Sequence, residues 1–443
     1  MNKLVYGVVA VLGASALAVP FVGGKVMEGV VRDGVAKINS KYADSGQDIK
    51  AEIIRYERGY ASSEIEWKID FGKLKEVYGI DGIILVDRAE HGYSGIVSKT
   101  SLEKNPWYER LVKEKLGGKD PLHLTTRYSF TGGTETTATL DGFTVQAEGV
   151  DIAVKPGHTT MAFDKEFKRV KSQGSWQGLS AGEQMNLKDI TYSADLTMIE
   201  PFTYIWSGAA NMAMAGLTIK EQGQDIDLSG VKIDYKLTFD QAANSLGAVA
   251  DYRVASLVAG PETVRDLGAK ISVGGLSASG YDEFMKVYTK TVGAMAGDMA
   301  GAKNDPVAMQ RAMEQKMAGA GLQLMSAGEK LLTKGLELRL SGLHLGLEEG
   351  EVKGDVALSL KKDMTFAQFI PLAGQPKLAL EIFSLSSSIS LPEKLVVDVP
   401  MLFVPIYQGM PSGVFVKNGA TAVHKAETRD GKLYLNDKEF VLN

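Results

Sequence analysis

The sequence predicts an α+β chain that is mostly β: a long antiparallel β-sheet built from hairpins, with a helical insertion, preceded by an N-terminal membrane helix. Three observations predict it. Several segments alternate apolar and polar residues with period two, which turns one strand face to a core and the other to water. Short polar or glycine-containing links join such segments, as hairpins require. One stretch near the N-terminus is apolar without interruption.

That stretch, Leu4 to Val22, has 19 residues and no charge. A helix that crosses a bilayer needs about 20 apolar residues, whereas the apolar part of a cleaved signal has about 7–15. Residues 1–24 are therefore expected to form an uncleaved signal anchor. A cleaved signal, with Ala14, Ala16 and Ala18 as the small residues of a cleavage site, is the alternative. Lys3 ahead of the run places the bulk of the chain outside the cytoplasm. The expected location is the bacterial inner membrane, single-pass, with the bulk of the chain in the periplasm. Residues 25–48 read as a helical stem, amphipathic from Lys25 to Lys41, and 49–443 as one periplasmic β-rich domain.

The period then changes. In Glu64 to Phe71 every second residue is apolar and the rest are charged, and Val231 to Phe239 repeats the pattern. Leu336–Leu340 and Val356–Leu360 do the same, as more weakly do Phe143–Ala147, Val150–Val154, Met185–Leu196, Leu378–Ile382 and Ile389–Leu391. One-sided alternation marks antiparallel sheet, because parallel sheets are usually buried on both faces. Glu221–Asp225 and Glu348–Glu351 are acidic, glycine-containing links between such strands, giving an irregular repeat of hairpins. Asn244 to Leu257 has weak helical character. Tyr281 to Lys334 is the clearest helical region, with Asp305 and Pro306 forming an N-cap and first-turn proline. Met309, Met313 and Met317 share a helical face there, suited to packing on the sheet or to an adaptable binding surface.

Composition narrows the function classes. The 443 residues carry 49 basic and 54 acidic groups for a net charge of -5, which argues against nucleic acid as a partner. There is no cysteine, so disulfides, thiolate nucleophiles and cysteine–metal sites are excluded. Hydrophobic residues make up 44%, enough for a sizeable core.

Four stretches carry a resemblance. They are the N-terminal apolar segment with its stem; Tyr56-Glu57-Arg58-Gly59-Tyr60-Ala61-Ser62-Ser63; the group Asn105-Pro106-Trp107-Tyr108, Asp120-Pro121-Leu122 and Thr126 to Gly133; and Asp430 to Lys438. In that order they resemble the YdgA-like family of bacterial envelope proteins, a family whose domain has no known function. The resemblance implies a membrane-attached, periplasm-facing protein, dimeric in one expectation, and carries over no catalytic residue. His91-Gly92-Tyr93 departs from the family's His-Gly-Pro, and Asp437 stands where the family prefers glycine. In structural terms Gly59, Gly132, Gly133 and Gly431 are expected at positive φ in turns, and Arg58 at an acidic partner or a helix-end carbonyl.

The chemistry-bearing residues form no signature. His91, His123, His158, His344 and His424 are scattered without ligand spacing, and His344 alternates with Leu343 and Leu345 as a solvent-facing strand residue. Ser101-Leu102-Glu103-Lys104 and Ser359-Leu360-Lys361-Lys362 match a serine–lysine spacing but lack its companion Lys-Thr-Gly. Glu348 and Glu349 read as solvated turn residues. No catalytic, cofactor-binding or metal-ligating residue is assigned, and no cofactor is expected. What remains is an apolar sheet face that needs a cover: the helical insertion, a second copy, or lipid. The expected function is a non-enzymatic, membrane-anchored structural or interaction protein of the cell envelope, with the inner membrane and a homodimer as partners. A lipid-handling module, holding acyl chains in a β-sheet groove, is the alternative.

Overall fold

The computed structural model describes residues 24–301 and 320–441, apart from 41, 44–47, 73–74, 76–78, 94, 131, 148, 222–223, 374, 399–405 and 407–408. The chain divides into two compact units, one of residues 1–176 and 286–323, the other of 177–285 and 324–443. Every strand pairing described within them is antiparallel, and most neighbours in space are neighbours in sequence.

The first unit opens with a helix over residues 24–40. Its strands are β1 (Lys50–Arg58), β2 (Ser62–Asp70), β3 (Gly82–Gly92), β4 (Gly95–Ser101), β5 (Leu122–Tyr128), β6 (Thr134–Leu140), β7 (Phe143–Ala147), β8 (Val150–Val154), β9 (Gly157–Phe163) and β10 (Arg169–Ala181), the last crossing the unit boundary. Met27 from the helix closes on Ile65, Ala89 and Ile96 of the sheet, with Val31, Ile53, Tyr56 and Trp67 around them. Ile65 is therefore a core residue with no exposed surface. Asn39 grips the start of β1, its amide donating to Ala51 O at 2.8 Å and accepting from Ala51 N at 2.7 Å.

The second unit contains β11 (Met185–Met198), β12 (Trp206–Glu221), β13 (Gln224–Asp240), β14 (Ser245–Ala259), β15 (Glu262–Ser277), β16 (Glu337–Leu347), β17 (Gly350–Leu360), β18 (Phe383–Pro392), β19 (Val416–Asn418), β20 (Thr421–Arg429), β21 (Lys432–Leu435) and β22 (Lys438–Phe440). The order across its sheet is β11 to β18 in sequence, then β20, β21 and β22, with β19 also on β20. A helix, Ala278–Gly301, leaves the end of β15. Two further core clusters lie here: Leu360, Met364 and Ile382; and Val396, Ile406 and Ala422.

Several expectations need correction. The fold was expected to begin with a membrane helix, and the chain to sit single-pass in the inner membrane. No helix among the described residues is long and apolar enough to cross a membrane, and the Leu4–Val22 run lies outside the described residues. Neither the membrane helix nor that location is retained. Residues Asn244 to Leu257 are not helical but form most of β14. Small residues such as Ala248 and Ala250 suit a helix locally, yet Leu246, Ala248, Ala250 and Tyr252 alternate and pair with strands on both sides. Leu378–Ile382 is not a strand but part of a short helix, Pro376–Ile382, started by its proline. The Met309, Met313 and Met317 stripe and Asp305-Pro306 lie outside the described residues.

Candidate functional site

Residues directly opposite one another on antiparallel strands point to the same side of the sheet. In the second unit this produces apolar rows running across the strands. Leu196, Gly208, Leu237, Ala248, Val273, Leu338, Leu358 and Leu385 pair in turn from β11 to β18. The next row is Ala194, Ala210, Tyr235, Ala250, Ile271, Leu340, Val356 and Ser387. A third begins Tyr192, Met212, Ile233 and Tyr252. The other side of the same strands is polar, with Asn211, Asp234, Asp251 and Lys270 in one row. Asp251 there accepts from Arg253 at 2.9 Å and lies 3.7 Å from Lys270. The hydrogen bonds and charge of Arg253, with the nearby charge of Lys270, hold its carboxyl below the usual range.

The apolar side is not sealed. Met212, Tyr235, Tyr252, Ile271 and Leu338 sit on it on five consecutive strands, and all are exposed, from 37% to 50%. The expected alternation in Val231 to Phe239 is present: the lysines and Asp234 are exposed while Val231, Ile233, Leu237 and Phe239 are half-buried. This contrasts with Ile65 in the first unit. None of the described core clusters draws a residue from β11 to β15. A contiguous apolar patch of this extent is what marks an interaction or ligand surface.

Two structures bound the face. At one end the loop after β11 turns Ile205 inward, with 1% exposed, and Phe202 meets the ring of Phe239 edge-on at 5.8 Å. That loop is clamped by Asp282 at the start of the helix, which is 4% exposed and accepts the backbone N–H groups of Thr203 and Tyr204 at 2.7 and 2.8 Å. Tyr281 beside it has its hydroxyl pKa pushed up by burial and then by Tyr235. At the β18–β20 side, the segment carrying Val396, Ile406, Met410 and Phe415 packs on Leu391 and Ala422.

The histidines fall in five separate places. His344 is exposed on β16, as its pattern predicts, with Nδ1 2.9 Å from Gly342 O. His123 meets Asp141 at 2.9 Å on the surface, and His158 meets Thr160 at 3.3 Å. His91 is buried in the first unit, with Ser63 Oγ 2.9 Å from Nε2. His424 on β20 has Nε2 2.8 Å from Ser387 Oγ and Nδ1 2.8 Å from Val414 O. Among the described residues no three His, Asp or Glu side chains come together as a metal site. Ser101 ends β4 and Ser359 lies in β17, so neither serine–lysine spacing opens a helix.

Ser387 with His424 has the form of a nucleophile and its base. Ser387, however, sits in mid-strand, paired to Val356 on one side and Ala426 on the other. It is therefore flanked by paired strands, and not placed at a turn or helix start of the kind that presents N–H donors to an oxyanion. Sequence reasoning missed this pair. Its signal is a serine in the apolar register of Leu385, Ile389 and Leu391.

The resemblance motifs prove to be joints of the fold. Asn105, 2% exposed, donates to Ile84 O and Leu102 O and accepts from Ile84 N, replacing a strand partner. Tyr108 donates to Asp120. Arg58 pairs with Glu28 of the first helix at 3.0 Å. Gly132 and Gly431 take positive φ, whereas Gly59 and Gly133 do not. Asp437 holds φ 64°, so an aspartate fills the turn conformation that glycine would favour. The family described as "Bacterial protein of unknown function (DUF945)" matches residues 1–443. The chain belongs to that family. No curated protein and no solved structure matches it. Membership supports a bacterial family without assigned function; the finer YdgA name and the envelope setting are not part of it.

Proposed function

We propose that this member of the family is a binding module that holds extended apolar chains, acyl tails above all, against the β11–β17 sheet face. One observation carries the reading: the unbroken apolar rows across these strands, with Met212, Tyr235, Tyr252, Ile271 and Leu338 left exposed on them. Burial of apolar surface contributes about 25 cal/mol per Å2, so a face of this kind gains from an apolar occupant. The rows extend across eight strands, roughly 34 Å at about 4.8 Å per strand. That is about twice the depth of one lipid leaflet, half of a hydrocarbon core about 30 Å thick. A second copy covering the same face, the homodimer reading, is supported by the same exposed residues. The membrane-anchored setting is no part of the proposal.

The test is purification of the full chain followed by extraction and mass spectrometry of bound lipid, with native mass measured on the same sample. Stoichiometric acyl lipid on a monomer is expected. A lipid-free dimer would replace the acyl reading by the second copy.

A further inference from the structure

The apolar rows contain one built-in polar station. The row through Tyr235, Ala250, Ile271, Leu340 and Val356 ends at Ser387, whose hydroxyl is 2.8 Å from His424 Nε2. Ser387 is 8% exposed and His424 half-buried, at the border between the open face and the core of Val396, Ile406 and Ala422. The carbonyl of Val414, 2.8 Å from His424 Nδ1, can only accept, so Nδ1 carries the ring proton. In the neutral ring Nε2 is then an acceptor, and the Ser387 hydroxyl donates to it.

We propose that Ser387 and His424 seat the carboxylic-acid head of a long-chain fatty acid whose tail lies along the apolar row. The inference rests on the acyl-binding reading above. The chemistry matches atom for atom. If the serine O–H turns from Nε2 to the ligand, the pair offers one donor and one acceptor side by side. A carboxyl group has the complement, a carbonyl oxygen that accepts and an O–H that donates. The acid's proton meets the Nε2 lone pair and is shared with it or passes to it, leaving carboxylate beside imidazolium. An alkane can use neither group, and a methyl ester can use only the serine. Buried polar groups that lose partners on binding penalise the wrong ligand, so the head group sets selectivity as well as direction.

The experiment is equilibrium partitioning of radiolabelled palmitic acid, methyl palmitate and hexadecane onto the purified full chain and onto Ser387→Ala, with Ser386→Ala, on the opposite side of β18, as the control. The wild type is expected to bind palmitic acid about tenfold more tightly than hexadecane, with methyl palmitate between. Ser387→Ala should lose about tenfold for the acid and nothing for hexadecane, and Ser386→Ala should match the wild type. Should Ser387→Ala unfold, His424→Gln, which keeps the volume polar, is read in the same way. Equal affinity for acid and alkane, or full acid affinity in Ser387→Ala, overturns the head-group site and leaves the acyl face intact. No binding of any probe by the wild type overturns both.

Discussion

Replacing Ile233 by aspartate separates an open face from a closed core by a magnitude. Ile233 is half-buried in the middle of β13, between Met212 and Tyr252 on the neighbouring strands. Full burial of an isoleucine is worth about 1.5–3 kcal/mol, so half of it is about 1 kcal/mol. Aspartate is poor in a central strand by up to about 1 kcal/mol. Its carboxylate keeps contact with water on an open face and adds no large desolvation penalty. The total loss is about 1–2 kcal/mol. Ile65→Asp is the reference, because Ile65 has no exposed surface and packs under Met27. A carboxylate there is buried without a partner, and about 3–5 kcal/mol is expected. The two sites lie in different units, so one global melting curve is unsuitable. Hydrogen exchange of peptides from β12–β14 and from β2–β3, followed through a urea series, reads each site locally. Bound acyl lipid should fall in Ile233→Asp and persist in the folded fraction of Ile65→Asp. Equal losses of about 3–5 kcal/mol at both sites would refute the open face, since that is the signature of two closed cores.

Three further outcomes follow from the geometry. Asp282→Ala leaves the N–H groups of Thr203 and Tyr204 without their carboxylate, and about 2–4 kcal/mol should be lost in urea denaturation, read by exchange in the loop before β12. Gly230→Val should destabilise β13 by about 2 kcal/mol or more, because φ is 63° there and an added Cβ would lie 2.6 Å from that of Ala255. Asp87 is 5% exposed and its pKa is raised, first by burial and against the hydrogen bonds from Thr100, Trp67 and Ser98. A carboxyl group whose folded pKa lies above its unfolded value stabilises most below the unfolded pKa and loses that contribution as pH rises through the folded one. The stability of β2–β4 in the wild type, relative to Asp87→Asn, should therefore fall from acidic toward neutral pH; a rise would reverse the assigned sign.

Alternation made β2, β7, β8, β11, β13, β16, β17 and β18 legible, because one wet side and one apolar side leave a period of two in the sequence. Glu64 to Phe71 and Val231 to Phe239 are both strands for that reason. The same pattern could not tell a core from an open face, since Ile65 and Ile233 look alike until the helix over residues 24–40 is found above one of them. β14 escaped because glycine and alanine at alternate positions carry little period-two contrast. Ser387 and His424 lie 37 residues apart and meet only through the β18–β20 pairing, which no local spacing records.

The period of two itself breaks in an informative way. Leu187 and Ile190 are three apart, as are Met214 and Leu217, Leu228 and Val231, Val254 and Leu257, and Val264 and Leu267. These breaks fall at one level on five adjacent strands, for Leu187, Leu217, Leu228, Leu257 and Val264 pair in one continuous row. On alternate strands the residue at the break has positive φ: Asp189, Gly230 and Asp266. A left-handed residue re-aims the chain locally, much as a bulge does. Glycine is required at 230, where Ala255 leaves no room for a Cβ, while aspartate at 189 and 266 tolerates the conformation through its short polar side chain. A change of one residue in register would have turned half of every strand's apolar side to the wrong surface. Three of the five strands carry a left-handed residue at that level. The breaks therefore align as one crease across β11 to β15, with a left-handed residue on every second strand.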